Sequence, residues 1–305
     1  MPLVPLAPGL GCLRIQGNNR RCHVMSILNT TPDSFSDGGS NSPADIGALR
    51  ATAALHIASG ATIIDVGGQS SRPNAPSISA EEELSRVIPA IEAVKSLPEA
   101  AGVAISVDTY RAEVAEAAVN AGAHIVNDVS AGLLDPNMLS TVARLGCTYI
   151  MMHMRGTPAT MSSEENCSYP DGLEETMRKE LSERLRAAEA AGIRRWRIIL
   201  DPGLGFAKTQ AQNLRLLSPL RKEFMSHGVL RDVPWLVGAS RKSFIGAVTG
   251  VKEAKNRQWG TAAAVTAAVL RGANIVRVHD VREMAQVVKM AEAMYGTGTE
   301  RYLNL

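Results

Sequence analysis

Cysteine is scarce in this chain of 305 residues: Cys12, Cys22, Cys147 and Cys167 are scattered and form no C-x-x-C pair. That removes the disulfide-scaffold and zinc-finger classes and fits a reducing compartment. The six histidines contain no H-E-x-x-H, so no structural zinc site is expected. An excess of one charge is also missing. Against 32 basic side chains stand 30 acidic ones, a net charge of +2, which leaves no electrostatic footprint for a nucleic-acid binder. The longest uncharged apolar stretch, Gly260 to Leu270, falls far short of the ~20 residues of a membrane span. Met1–Gly11 is apolar but has no basic n-region, which argues against a secretory signal. No G-x-G-x-x-G follows the first apolar run, which counts against a dinucleotide fold.

What the chain does have is alternation. Apolar residues make up 45%, enough for a large core. Short β-branched runs at Cys22–Leu28, Thr62–Val66, Val103–Val107, His124–Val126, Thr148–Met152, Ile198–Leu200, Trp235–Gly238 and Ile275–Val278 read as strands. Helical spacing fills the gaps, roughly Ala44–Ser59, Ala80–Ser96, Arg111–Ala121, Asn137–Leu145, Leu173–Ala191, Gln212–His227, Asn256–Arg271 and Val281–Met294. Strands that are apolar on both faces belong to a parallel sheet covered by helices. Eight such units, about 35 residues apart, give a TIM (β/α)8 barrel, with a doubly wound sheet as the alternative. Length alone suggests two domains, at about 150 residues each. The eight units use nearly all of it, however. They leave a leader at 1–21 that would either cap the barrel's bottom or mark a cut from a longer chain, the barrel at 22–296 and a tail at 297–305.

The strand ends carry the chemistry. Polar residues close nearly every apolar run: Asn29, Asp65, Asp108, Asn127, His153, Asp201, Ser240 to Lys242, and Arg277 with His279. In a barrel these converge on the C-terminal face, where such enzymes place their active sites. Helix capping accounts for some of them, and Asp65, Asp128 and Asp280 are the candidates for that role. Two Gly- and hydroxyl-rich loops follow the first two strands: Asn29-Thr30-Thr31-Pro32-Asp33-Ser34-Phe35-Ser36-Asp37-Gly38-Gly39 and Asp65-Val66-Gly67-Gly68-Gln69-Ser70-Ser71-Arg72-Pro73. Backbone N–H groups, hydroxyls and Arg72 in the second suit phosphate oxygens. Asp108, Asn127 and Asp201 facing inward would read an amidine-like edge such as that of a 2-amino-4-oxo-pyrimidine. Burying two carboxylates costs several kcal/mol each without partners, which favours a donor-rich ligand. Arg277 and His279, two apart on one strand, share a side and would grip an anion.

These motifs, in this order from Cys22 to Met294, resemble the dihydropteroate synthase family of folate biosynthesis. The N-terminal segment and Met152-His153-Met154-Arg155-Gly156-Thr157-Pro158 look closest to the fungal branch. There the synthase is a domain of a multifunctional folate-synthesis protein, so fusion to other folate-pathway domains is implied. The resemblance implies a transferase that condenses 6-hydroxymethyl-7,8-dihydropterin diphosphate with 4-aminobenzoate to 7,8-dihydropteroate and pyrophosphate. Asp108, Asn127 and Asp201 would hold the pterin edge, with Lys242 against the ring and Met152, Gly205 and Phe206 lining the pocket. Asn29, Arg277 and His279 would hold the diphosphate, with Asn29 and Asp37 ligating Mg²⁺. Phe35, Ser71, Arg72 and Pro73 would frame the aminobenzoate site. Asp37, Arg72, Asp108, Asp201 and Lys242 would carry the chemistry.

Sulfonamides are implied as competitive inhibitors, a homodimer through the last helices as the assembly, and the cytoplasm as the location, with mitochondria the eukaryotic alternative. Two positions depart from the family pattern: Gln69 replaces a common Glu, and Ser71 a common Thr. Two other functions fit part of the pattern. A corrinoid-dependent pterin methyltransferase barrel shares the Asp/Asn/Asp edge but needs neither diphosphate loops nor the Lys242 and Arg277-x-His279 set. A non-catalytic structural barrel would not keep its polar strand ends.

Overall fold

The computed structural model describes residues 3–5, 12–14, 21–31, 45–70, 76–218 and 228–295. Two short strands, β1 (Leu3–Pro5) and β2 (Cys12–Arg14), pair antiparallel. Eight parallel strands follow: β3 (His23–Asn29), β4 (Ile63–Gly67), β5 (Ala104–Asp108), β6 (Ile125–Asp128), β7 (Thr148–Met152), β8 (Ile198–Asp201), β9 (Leu236–Val237) and β10 (Ile275–Val278). Their order is β8-β7-β6-β5-β4-β3-β10-β9. A parallel bridge between Leu200 and Trp235, with Leu200 N–H donating to the Pro234 carbonyl at 2.9 Å, joins β8 to β9 and closes the ring. The barrel is thus the one that the alternation of the sequence requires.

Helices α1 (Ile46–Ala58), α2 (Ala80–Lys95), α3 (Ala112–Ala121), α4 (Met138–Leu145), α5 (Leu173–Ala190), α6 (Gln210–Leu217), α7 (Ser243–Thr249), α8 (Gln258–Arg271) and α9 (Val281–Tyr295) lie between and after the strands. Side chains that satisfy the first free N–H groups fix several starts. Asp45 caps α1, Ser79 caps α2, and Thr209 with Gln212 forms a capping box on α6. The helix expected at 256–271 is α8, and a short helix that the sequence pattern did not reveal, α7, precedes it. Gly250, in the left-handed region at φ +75°, ends α7 before α8 begins. The expected helix 212–227 starts at Gln210 and is described to Leu217; residues 219–227 lie outside the described residues. No described helix is long and apolar enough to cross a membrane.

Period two sets the interior. Met25, Ile63, Ala104, Ile125, Ile150, Ile199, Leu236 and Ile275, one from each barrel strand, form a single buried apolar cluster. Burying each Ile or Leu there contributes about 1.5–3 kcal/mol. Side chains two residues further along a strand face the same way. From that floor the next inward layer is Ile27, Asp65, Ser106, Asn127, Met152, Asp201, Gly238 and Arg277. The layer changes from wholly apolar to mostly polar in one step, and that step is the floor of the site.

Candidate active site

Arg277 is the centre of this layer. It reaches from β10 past β3, donating from Nε to Asp65 Oδ2 at 2.6 Å and from Nη2 to Asp108 Oδ2 at 2.7 Å. Asn127 Nδ2 donates to the same Asp65 oxygen at 3.1 Å. Asp65 is fully buried and its other oxygen has no hydrogen-bond partner among the described residues. Asp65 is therefore no helix cap: it stands inward, two residues above Ile63, and compensates a guanidinium. Asp128 and Asp280 depart from capping too. The Asp128 carboxylate accepts from the N–H groups of Ser130 and Gly132 and from the Ser130 and Tyr149 hydroxyls, each at 2.7 Å, and so shapes the loop after β6. Asp280 pairs with Arg241 at 2.6 Å.

Asp201 and Lys242 form the next side of the site. Asp201 Oδ1 accepts the Gly203 N–H at 2.7 Å. Burial raises the Asp201 carboxyl above its usual range, against the pull of Lys242, Lys208 and Arg277. Lys242 Nζ donates to the Leu204 carbonyl and sits 4.7 Å from the centroid of the Phe206 ring, a cation–π distance. Burial lowers its ammonium to about 8. Asp108 is pushed up to about 7 by burial and by Asp65, while Arg277 pulls the other way. Desolvation thus leaves both carboxylates in need of donors.

Glycine geometry makes the wall. Gly203 has φ +65°, and a Cβ there would lie 2.1 Å from the His153 carbonyl oxygen. Gly205 has φ +79°, and a Cβ would lie 3.0 Å from Lys242 Cδ. Met152, Met154, Met161, Val129 and Ala207 cluster behind them, with Phe206 and Tyr110 packed against the group. Ala131, Ala207 and Arg241, each in a loop after a barrel strand, adopt left-handed φ values of +52°, +47° and +58°. Such backbone persists only where surroundings over-determine it, as at functional sites. Around Arg241 those surroundings are Asp280, the Thr261 hydroxyl that accepts its N–H, and Arg257, which donates to its carbonyl.

Strand-end polarity does not always mean an inward side chain. His153 alternates outward and bonds α5: its Nε2 lies 2.7 Å from Glu180 Oε2, and its Nδ1 lies 3.0 Å from Lys208 Nζ. Burial lowers the imidazole to about 4, so it is neutral, donating from Nε2 to Glu180 and accepting from Lys208 at Nδ1. Lys208, itself lowered to about 7 by burial, also donates to the Phe206 carbonyl at 3.0 Å.

Of the residues expected in the site, Asn127, Asp201, Asp108, Lys242, Phe206, Gly205, Met152, Asn29, Arg277 and His279 all stand on the C-terminal ends of barrel strands or in the loops that follow them. Asn29 Oδ1 lies over Gly67, where a Cβ would meet it at 3.4 Å and Asp108 Oδ2 at 3.9 Å. His279 Nδ1 lies 3.0 Å from Ser240 Oγ. Asp37, Phe35, Ser71, Arg72 and Pro73 lie outside the described residues. Among the described residues no group of three or more His, Cys, Asp or Glu could hold a metal ion. A magnesium ion asks less of the protein than that, taking one or two oxygens plus substrate phosphates. The amide oxygen of Asn29, a hard donor beside Asp108, fits that demand.

The start of the second loop has an anchor that the sequence did not disclose. Arg111 pairs with the fully buried Glu83 and donates to Gln69 Oε1 and to the Ile78 carbonyl, both at 2.6 Å. Gln69 Nε2 donates to the Tyr110 hydroxyl at 2.9 Å. The amide at 69 uses both of its ends here, and a carboxylate could only accept. Asp65, by contrast, was open to detection: it stands two residues above Ile63 as Asp201 stands two above Ile199, both in apolar strands.

The pterin binding enzyme family matches residues 25–279. A dihydropteroate synthase of Synechocystis is 45% identical over 276 residues, covering 90% of this chain and 91% of that protein. A mitochondrial folate synthesis bifunctional protein of Arabidopsis thaliana is 48% identical, and so is a folic acid synthesis protein of Pneumocystis carinii. Each match covers 90% of this chain, with 50% of the plant protein and 36% of the fungal one. The chain therefore spans about half the length or less of these eukaryotic relatives, and plant and fungal proteins match it equally well. Among solved structures, Yersinia pestis dihydropteroate synthase with a sulfonamide drug complex superimposes with a TM-score of 0.82 at 39% identity, covering 94% of this chain and 98% of that one. The Xanthomonas albilineans enzyme with 4-aminobenzoic acid gives 0.81 at 38% identity, covering 96% and 98%. By sequence over nearly its full barrel and by fold, the chain belongs to the dihydropteroate synthase family of pterin binding enzymes.

Proposed function

We propose that this chain condenses 6-hydroxymethyl-7,8-dihydropterin diphosphate with 4-aminobenzoate, giving 7,8-dihydropteroate and pyrophosphate. The observation that carries the reading is the inward layer together with the groups just above it: Asp65, Asp201 and the Asn127 amide on an apolar floor, Arg277 among them, and Asp108 and Lys242 at the strand end and loop over it. A pterin edge offers an amino group and a ring N–H to Asp108 and Asp201, and a ring nitrogen to the Asn127 amide. Met152, Gly205, Phe206 and Lys242 wall the ring. Arg277 and His279 take the diphosphate oxygens, with charge-assisted hydrogen bonds.

In the reaction the bond from the exocyclic methylene to the diphosphate oxygen breaks and its electron pair leaves with pyrophosphate. The aniline nitrogen forms the new C–N bond and then releases one proton to water. Arg277 and His279 favour departure by balancing the leaving charge. Asp108 and Asp201 favour positive charge on the ring and methylene as that bond lengthens. Asn29 and Asp37 would hold Mg²⁺, which when bound adds positive charge against the diphosphate. Phe35, Ser71, Arg72 and Pro73 would frame the aminobenzoate and exclude water from the methylene. Sulfonamides would compete for that same place. The assembly consistent with this reading is a homodimer through the last helices, where Trp259 is 87% exposed; sedimentation at twice the chain mass is the expected result.

The site assignment is tested by splitting its two halves. Asp201→Asn removes a ring acceptor, and Arg277→Ala removes a diphosphate donor. The first should weaken a pterin that has no diphosphate by about 10²-fold, as expected for a charge-assisted bond of ~1.5–3 kcal/mol or more. The second should weaken inorganic pyrophosphate by a similar factor. Near-normal binding and turnover in both variants would contradict the assignment.

A further inference from the structure

The residue proposed to bind the diphosphate is occupied by two carboxylates, one of which is proposed to bind the ring. Arg277 spends Nε on Asp65 at 2.6 Å and Nη2 on Asp108 at 2.7 Å. The two partners are not equivalent. Asp65 is fully buried, with only Asn127 and Arg277 as donors, both on Oδ2, while its Oδ1 has no partner among the described residues. Withdrawing Arg277 would leave that carboxylate without a countercharge in the barrel interior, which is strongly unfavourable. Asp108 sits at the strand's C-terminal end with its side chain 12% exposed, where a ligand's N–H groups can replace the guanidinium.

We propose that Arg277 is a substrate-released residue, with Asp65 as its fixed anchor and Asp108 as its exchangeable partner. Ring occupancy supplies donors to Asp108 and breaks the Nη2 contact. Nε stays on Asp65, and the freed edge of the guanidinium turns to the diphosphate. Asp65 is thus a positioning residue that never touches substrate. The device couples recognition of the ring to capture of the diphosphate, so that pyrophosphate alone meets an arginine already engaged. This inference rests on the proposed function, since it needs both ligands to share this site.

Calorimetric titration of the full chain with inorganic pyrophosphate, with magnesium present throughout, tests it in the absence and presence of 6-hydroxymethylpterin. Pyrophosphate should bind at least about fivefold more tightly to the pterin complex, the lower end of ordinary coupling between sites. Asp108→Asn should bring pyrophosphate affinity without pterin to the level of the wild-type pterin complex. Asp65→Asn should do the reverse and weaken pyrophosphate several-fold, because Arg277 then pairs wholly with Asp108. Both variants remove one negative charge, so a general electrostatic effect would move them in the same direction. Asp201→Asn, which removes a charge that does not pair with Arg277, should tighten pyrophosphate less than Asp108→Asn. Equal pyrophosphate affinity with and without pterin in the wild type overturns the proposal even if Asp65→Asn does not fold. So does tighter pyrophosphate binding by a folded Asp65→Asn. Failure of the wild type to bind either ligand overturns it together with the proposed function; binding of both without coupling overturns the release alone.

Discussion

Arg111→Met removes the cation that pairs with the buried Glu83 carboxylate. Glu83 is 1% exposed, and its pairing with Arg111 is the charge compensation that allows it to be buried. Breaking a buried ion pair by deleting one partner costs about 3–5 kcal/mol, because the other charge stays behind. Glu83 keeps the Thr109 hydroxyl and the nearby Arg86, so the lower end, about 3 kcal/mol, applies. Burial already raises the Glu83 carboxyl above its usual range. A raised acid binds more protons folded than unfolded, so its burden grows as pH rises and shrinks as pH falls. Urea unfolding of the variant should show the deficit at neutral pH and a partial recovery in acid. Glu83→Gln combined with Arg111→Met should restore about 2 kcal/mol, since no charge is then stranded. Arg111 also holds Gln69 and the Ile78 carbonyl, on either side of Ser71 to Pro73 in sequence. The KM for 4-aminobenzoate should therefore rise more than that for the pterin. A deficit below about 1 kcal/mol, or a double variant no better than Arg111→Met, would refute the reasoning.

Other outcomes follow from the same geometry. Burial holds the Lys242 ammonium at about 8, so kcat/KM should fall as pH rises through 8, and Lys242→Arg should move that limb to higher pH; an unchanged limb in the arginine variant would count against it. The sign for stability is opposite: the unfolded lysine binds more protons between about 8 and its ordinary value, so the Lys242 contribution to unfolding free energy should rise over that range, and chemical denaturation of wild type against Lys242→Met measures it. Gly203→Ala places a Cβ 2.1 Å from the His153 carbonyl oxygen at a left-handed φ, so pterin affinity should drop by 100-fold or more; a drop under threefold in a titration would show that the wall is not rigid. On the proposed function, sulfonamide binding should require pyrophosphate, since the loops proposed to frame the aminobenzoate would be completed by the leaving group; tight binding to pyrophosphate-free protein would reverse that order.

Much of this was readable from the amino-acid order, for a physical reason. A strand buried on both faces must be apolar, so Asp108, Asn127, Asp201 and Arg277 at the ends of such strands needed another explanation, and a shared site supplied it. What could not be read was who pairs with whom. Asp65 looked like a cap because it closes a strand ahead of the next helical unit, while its partner Arg277 is 212 residues away and meets it only after the barrel closes. His153 looked like a site residue, but it alternates outward because Met152 faces in. Glu83 and Arg111 gave no signal at all, being ordinary charges on two helical units that the fold brings together. Helix α7 went unread because Ser243–Thr249, at 7 residues, is too short to establish a helical period.

The most direct measurement of the central claim is product formation by the purified chain given the pterin diphosphate, 4-aminobenzoate and magnesium. One pyrophosphate should be released for each 7,8-dihydropteroate formed, with turnover lost on omitting either organic substrate and reduced at least 10²-fold in Asp201→Asn. Binding of the pterin diphosphate without dihydropteroate formation, or pyrophosphate release that ignores 4-aminobenzoate, would contradict it.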